Sequence, residues 1–217
     1  MKRCAFYGKE AYDLVYYMAL LLFKLGEKVQ VYDGSSRRYL CRSVFHDCTE
    51  GSRGTFAGVD FFAVSGESVM DVVETESPEE GCLFYIADEP ESHLHGFLPF
   101  FVTGNLPEEL EELPGKLENC GEEGGVILRD AVRSVADADI LEKLYLPEWF
   151  VRENLCEIPF DWMDYQLRVQ LCYELPRKIP EVSREYARVM TRLAVWMTGK
   201  EIRQVRKAYR KGRRGSK

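Results

Sequence analysis

The chain has 217 residues, 46% hydrophobic and 30% charged, with a formal net charge of −7. That length and apolar content suit one sizeable α/β core, and no apolar run approaches the roughly 18 residues that a membrane span requires. Seven scattered cysteines with no C-x-x-C spacing read as reduced, buried thiols, and an N-terminus without a signal-peptide core places the protein in the cytoplasm.

Arg3 to Tyr7 reads as a short strand, Gly8 as a turn and Lys9 to Leu25 as a long helix. Ala11, Leu14, Val15, Met18, Leu21, Leu22 and Leu25 follow the helical period, and Gly26 is a natural stop. Lys28 to Tyr32, closed by Asp33, completes a βαβ unit, which implies a parallel sheet. In such folds the turn after the first strand is where phosphate binds.

Residues 34–58 are rich in Gly, Ser and Arg and read as a loop with a short element around Tyr39 to Phe45. Val59 to Val64 is a strand candidate, Ser68 to Val73 a short helix, and Glu74 to Gly81 an acidic loop. Cys82 to Ala87 is an unbroken apolar run ending at Asp88, the pattern of a strand buried on both faces. Phe97 to Thr103 is another strand, Leu106 to Leu117 an acidic helix, and Gly125 to Leu128 a strand followed by Arg129 and Asp130. Ala138 to Leu144 reads as a short helix, Asn154 to Ile158 as the last strand and Glu181 to Met197 as an amphipathic helix ended by Gly199. The expected fold is α/β: a doubly wound, mostly parallel sheet of about six to eight strands flanked by helices. Residues 1–199 form that domain, and 200–217 form a basic helix or tail.

Charge is unevenly spread. Sixteen acidic residues and one basic residue, Lys116, lie between Glu67 and Glu123. Between Lys200 and Lys217 the balance is nine basic to one acidic, a net +8 that leaves −15 on the rest. So acidic a body repels nucleic acid, and only the tail can attract it.

The order of elements resembles the ParA/MinD superfamily of deviant-Walker P-loop NTPases. The ordered series that carries the likeness is Arg3–Tyr7, Val29–Asp33, Leu83–Pro90, Phe100–Thr103, Val126–Asp130 and Glu157–Pro159. Within that superfamily the chain resembles the TadZ/CpaE group of Flp/Tad pilus-assembly proteins, which includes atypical nucleotide sites. The resemblance puts the family's catalytic lysine at Ala11, its signature lysine at Phe6, its two glycines at Tyr7 and Gly8, and its magnesium-binding hydroxyl at Tyr12. Asp88 falls on the Walker B acid and Asp33 on the switch acid.

These replacements are adverse to phosphate. One glycine survives where backbone amides must approach the anion, and Ala11 carries no charge for the β- and γ-phosphates. The Tyr12 phenol is too long to replace a threonine on Mg²⁺. Asp13 places negative charge in the helix's first turn, where it competes with an anion for the dipole. Gly8, Lys9, Ala11, Tyr12, Asp33, Asp88 and Arg129 are therefore the residues of a vestigial nucleotide site. Asp88 is alternatively a leftover strand-end acid, and Asp33 a turn residue before Gly34.

Other constellations are weaker. His93 and His95 form a His-x-His without further ligands of suitable spacing, and Cys41, His46 and Cys48 make half a zinc site. The pairs Glu79-Glu80, Glu108-Glu109 and Glu111-Glu112 read as solvated faces. In the tail, Arg203, Arg206, Lys207, Arg210, Lys211, Arg213 and Arg214 back a thin apolar edge of Ile202, Val205 and Tyr209. Such a helix suits anionic membrane, nucleic acid or an acidic protein surface, a second copy included.

The leading expectation is a non-catalytic pseudo-NTPase, without cofactor or metal, that localises, recruits or scaffolds partners in pilus assembly or a related envelope system. Expected partners are a secretion or pilus ATPase and a second copy of the chain, at the inner face of the membrane. One alternative is an atypical NTPase that binds ATP and Mg²⁺ with Lys9, Asp88 and Arg129. The other is a protein that associates with nucleic acid or membrane through the tail.

Overall fold

The computed structural model describes residues 2–45, 48–76, 80–90, 94–118 and 124–214. At its centre β5 (Cys82–Ala87) is buried at every residue, paired in parallel with β1 (Lys2–Tyr7) on one side and β2 (Val29–Asp33) on the other. A strand covered on both faces has no side for polar residues, which is why Cys-Leu-Phe-Tyr-Ile-Ala does not alternate. The eight strands run β3-β4-β2-β5-β1-β6-β7-β8, with β3 (Arg53–Phe56), β4 (Val59–Ala63), β6 (Leu98–Thr103), β7 (Gly125–Ala131) and β8 (Leu155–Pro159). Among the described strands, β3–β4 is the one antiparallel pair.

The first strand of that hairpin, β3, lies in the stretch expected to be mostly loop, whereas β4 falls on the strand expected over Val59 to Val64. The hairpin's two-residue turn is Ala57-Gly58, with φ of 51° and 86°. Two left-handed residues make the turn whose twist matches a hairpin, but alanine at the first position hides the signal.

One face of the sheet carries α1 (Tyr12–Lys24), α2 (Tyr39–Val44), α6 (Trp162–Leu171), α7 (Arg184–Thr198) and α8 (Ile202–Arg214). The other carries α3 (Val69–Glu76), α4 (Pro107–Glu118) and α5 (Ala138–Leu144). The first helix is buried at every residue from Tyr12 to Leu22, because α7 and α8 cover the side turned away from the sheet. This explains its apolar residues off the main stripe. It starts at Tyr12, three residues later than expected, so Lys9 and Glu10 belong to the turn.

The helix α6 was not among the expected elements. Asp161 caps it, its carboxylate accepting from the Met163 and Asp164 amides at 2.8 and 3.2 Å, yet the helix buries Asp164 and Arg168 and exposes Trp162 and Met163. An inverted pattern of this kind defeats a search for an apolar stripe.

The basic tail is a full helix joined to the body. Val205, Ala208 and Gly212 of α8 are buried, and the Ile179 amide donates to the Gly212 carbonyl at 3.2 Å. At the start of the segment, Lys200 Nζ donates to the Leu25 carbonyl at 2.7 Å and to Glu27 at 2.5 Å. No helix among the described residues is long and apolar enough to cross a membrane. Deleting residues 201–217 uncovers the outer side of α1 and is expected to lower the unfolding free energy by about 3 kcal/mol or more. Urea titration checks it, and an unchanged midpoint would show that α8 adds nothing to the fold.

Candidate functional site

β1 ends at Tyr7 and α1 begins at Tyr12, so four residues, Gly8 to Ala11, form the turn at the sheet's C-terminal edge. Gly8 sits at φ +133°, and a Cβ there would lie 2.1 Å from the Val102 carbonyl oxygen. Its freedom thus serves a close approach to β6. The turn's amides are partly spent inside the protein: Gly8 N–H donates to the Ala87 carbonyl at 2.9 Å and Ala11 N–H to the Gly8 carbonyl at 3.2 Å. Lys9 is exposed.

Behind this turn stands a buried ion pair. Asp13 is fully buried in the first turn of α1, and Arg129, at the end of β7, is 2% exposed. Both ends of the guanidinium engage the carboxylate: Nη1 donates to Oδ1, and Nη2 to Oδ2 at 2.9 Å. Arg129 Nη1 also donates to the Glu10 carbonyl at 2.9 Å, and the Tyr186 hydroxyl of α7 donates to Asp13 Oδ2 at 2.9 Å. The guanidinium carbon lies 5.3 Å from the centre of the Tyr186 ring, a cation–π contact. Burial is the largest influence and opposes the charge on Arg129, but Asp13, Tyr186 and Asp130 together outweigh it and hold the guanidinium protonated. Burial, reinforced by Asp13, pushes the Tyr186 phenol up, so it stays a donor.

A second arginine repeats the arrangement. Arg168 of α6 pairs with the Glu10 carboxylate and with Asp130 Oδ2, the latter at 2.8 Å. Asp130 has φ +54° where the β7–β8 register shifts, and this bulge turns consecutive residues toward different partners. The corner therefore holds two arginines already matched by Asp13, Glu10 and Asp130.

This corrects the expectation that Arg129 reaches into a vacant anion site: it is buried and committed to Asp13. Arg129 Nε has no partner among the described residues, but it too is shielded from solvent. Asp13, expected only to weaken an anion site, supplies the anion.

The remaining positions are built into packing. Ala11 is fully buried. The Tyr12 ring packs 4.7 Å from Tyr39, and its hydroxyl accepts from the Cys172 thiol at 3.2 Å. Burial, with that hydrogen bond second, raises the Tyr12 pKa. Phe6 stacks on Phe100 at 5.1 Å.

Asp33 and Asp88 anchor the loop after β2. Asp33 accepts from the Ser35 hydroxyl at 2.6 Å and the Cys41 amide at 3.3 Å, while burial raises its carboxyl pKa. Asp88 accepts from the Ser36 amide at 3.1 Å. The cleft bordered by Gly8, Lys9 and Asp88 has a volume of about 80 Å³ and is also lined by Glu89, Glu109 and Glu112. Ligand pockets usually enclose roughly 300–1,000 Å³, and four carboxylates around two lysines, Lys9 and Lys116, do not favour a polyanion. The residues present do not fit a nucleoside triphosphate.

No three His, Cys, Asp or Glu side chains converge on a metal-binding position among the described residues. His95 is exposed, while His93, His46 and Glu79 lie outside the described residues. In α8, Arg203, Arg206, Lys207, Arg210, Lys211 and Arg214 are exposed, and Arg213 pairs with Glu181. Sequence reasoning missed Glu10, Arg168 and Tyr186 as members of the corner. The Asp161 cap was the available signal for the helix that brings Arg168.

Asp13→Ala leaves Arg129 buried without its counter-charge and is expected to cost about 3–5 kcal/mol. Asp13→Leu combined with Arg129→Met removes both charges and is expected to recover most of that loss. Urea unfolding of the wild type and the two variants checks it. A loss under about 0.5 kcal/mol for Asp13→Ala would mean that the pair does not hold the corner.

No family model matches the sequence, and no curated protein is significantly similar to it. Among solved structures, a plasmid partition protein of Borrelia burgdorferi bound to AMPPNP is similar over 96% of this chain and 98% of its own, with TM-score 0.57 and 8% identity. A plasmid partition protein from the same organism is similar over 79% of this chain and 97% of its own, with TM-score 0.50 and 8% identity. The MinD cell division protein of Aquifex aeolicus matches 97% of this chain and 98% of its own at TM-score 0.43 and 12% identity. With its strand order and flanking helices, the chain shares the α/β fold of the Borrelia plasmid partition proteins.

Proposed function

We propose that this chain is a pseudo-NTPase: it keeps the ParA/MinD-like scaffold and acts by binding proteins, without nucleotide turnover. The observation that carries this reading is the Asp13–Arg129 pair behind a four-residue turn. A triphosphate entering there would have to displace a buried carboxylate, and separating such a pair costs about 3–5 kcal/mol. It would gain neither a lysine from Ala11 nor a magnesium-binding hydroxyl from Tyr12. AMPPNP on the Borrelia protein marks the contrast. The role is recruitment or scaffolding in Flp/Tad-type pilus assembly or a related envelope system, as the resemblance to the TadZ/CpaE group suggests, with a secretion or pilus ATPase as the expected partner.

A second reading draws on α8. Its six exposed cations have no ion-pair partner among the described residues, so they are available to an anionic surface. Charge reversal at Arg206 and Arg210 tests this without disturbing the buried Val205 and Ala208. Binding to duplex DNA or anionic vesicles that weakens with salt and is lost in the variant supports it, and binding that survives rejects it.

For the leading reading, calorimetric titration with ATP and Mg²⁺ is expected to give no binding heat, and a phosphate-release assay no turnover. Micromolar binding with hydrolysis abolished by Asp88→Ala would overturn it.

A further inference from the structure

At the N-terminal edge of the sheet, where β6, β7 and β8 begin, a cavity of about 460 Å³ opens between these strands and α7. This is the edge opposite the corner of Asp13 and Arg129. Ligand sites usually enclose roughly 300–1,000 Å³, and this cavity falls in that range, unlike the cleft beside Gly8. Two wider clefts, of about 550 and 590 Å³, are lined chiefly by charged residues. Here the walls are apolar, with Phe100, Ile127 and Cys156 from the sheet and Leu193 and Trp196 from α7.

The walls are fixed by their own contacts. β7 begins with glycine, and a Cβ at Gly125 would lie 2.7 Å from the Phe100 ring, so only bare backbone lets that ring settle there. Phe100 stacks on Phe6 and meets the Trp196 ring edge-on at 5.6 Å, with an interplanar angle of 87°. Lys2 holds the indole in turn: Nζ donates to the Trp196 carbonyl at 3.3 Å and lies 5.0 Å from the ring centre, a cation–π contact. Such a preformed apolar slot with a few polar groups is the usual build of a small-molecule site. Trp196 is still 46% exposed, which leaves aromatic surface at the mouth.

Charge at the mouth selects the ligand. Arg192 of α7 donates to the Leu155 carbonyl at 3.4 Å and to the Glu153 carbonyl. These bonds anchor the guanidinium without neutralising it. Arg192 makes no ion pair among the described residues, whereas Arg188, one turn earlier, pairs with Glu185, and Arg152 pairs with Asp139 and Glu142. The charge reaches the wall, where it opposes the burial that pushes the Cys156 thiol up. Lys2 is a second cation, and Glu153 is the one acid that lines the cavity. Two cations against one acid leave a single positive charge, which one carboxylate balances. The planar guanidinium matches a carboxylate in geometry and has further N–H donors to offer, while an apolar body gains by leaving water for the slot.

We propose that this cavity binds a small apolar monocarboxylate, with its body against Phe100, Ile127 and Leu193 and its carboxylate on Arg192. The site lies at the far edge of the sheet from the corner, so it stands whether or not the pseudo-NTPase reading does.

Calorimetric titration of the full chain with decanoate tests it, with decanol and decylamine as the neutral and cationic counterparts. Decanoate is expected to saturate at one molecule per chain and to bind about tenfold or more tighter than either counterpart, the difference that a charge-assisted hydrogen bond supplies. Arg192→Gln, at an exposed position, is expected to weaken decanoate about tenfold and to leave decanol unchanged. Leu98→Trp fills the cavity from a half-buried wall position and is expected to weaken both. Circular dichroism confirms that the variants fold. Lys207→Glu on α8 is expected to leave the affinity unchanged, which separates the cavity from general attraction to the basic helix. No saturable decanoate binding, equal affinity for decylamine, indifference to both Arg192→Gln and Leu98→Trp, or loss of binding in Lys207→Glu would overturn the proposal.

Discussion

A carboxylate and a guanidinium, Asp13 and Arg129, hold the C-terminal edge of the sheet together. Neither would be tolerated there alone, since an isolated buried charge forfeits most of its hydration. Together they satisfy one another at both nitrogens, with the Tyr186 hydroxyl and the Glu10 carbonyl taking further bonding capacity. Asp13 belongs to α1, Arg129 to β7 and Tyr186 to α7, so one cluster fixes three elements. Arg168 extends the same logic to α6 through Glu10 and Asp130.

How much of this could be read in the sequence depends on the distance between partners. The core was legible: the apolar run Cys82 to Ala87 and the stripe along α1 each report burial within a few consecutive residues. The Arg129–Asp13 pair was not, because its members are 116 residues apart and only the fold brings them together. Arg129 could be recognised as a strand-end cation, but its charge balance could not. The helix α6 was hidden for a related reason. Its buried residues include Asp164 and Arg168, made tolerable inside by partners on other elements, and its exposed residues include Trp162, Met163 and Tyr165. The β3–β4 turn escaped because alanine holds a left-handed conformation at position 57, where glycine or asparagine would have marked it.

The corner also bears on regulation. In a phosphate-binding fold the anion arrives from outside, and a conformational change follows only if the ligand distinguishes two states. Here the anion is part of α1. It is covalently present at all times, so the balance of charge at this edge cannot depend on a ligand's concentration. The acids that a nucleotide switch would employ are likewise engaged, Asp33 and Asp88 both bonding the loop after β2.

Any variable behaviour must then come from surfaces, and these are chemically distinct. The layer holding α8 presents cations, and the opposite layer holding α4 presents carboxylates. Because the sheet lies between them, a single small partner of either sign engages one layer and is repelled by the other.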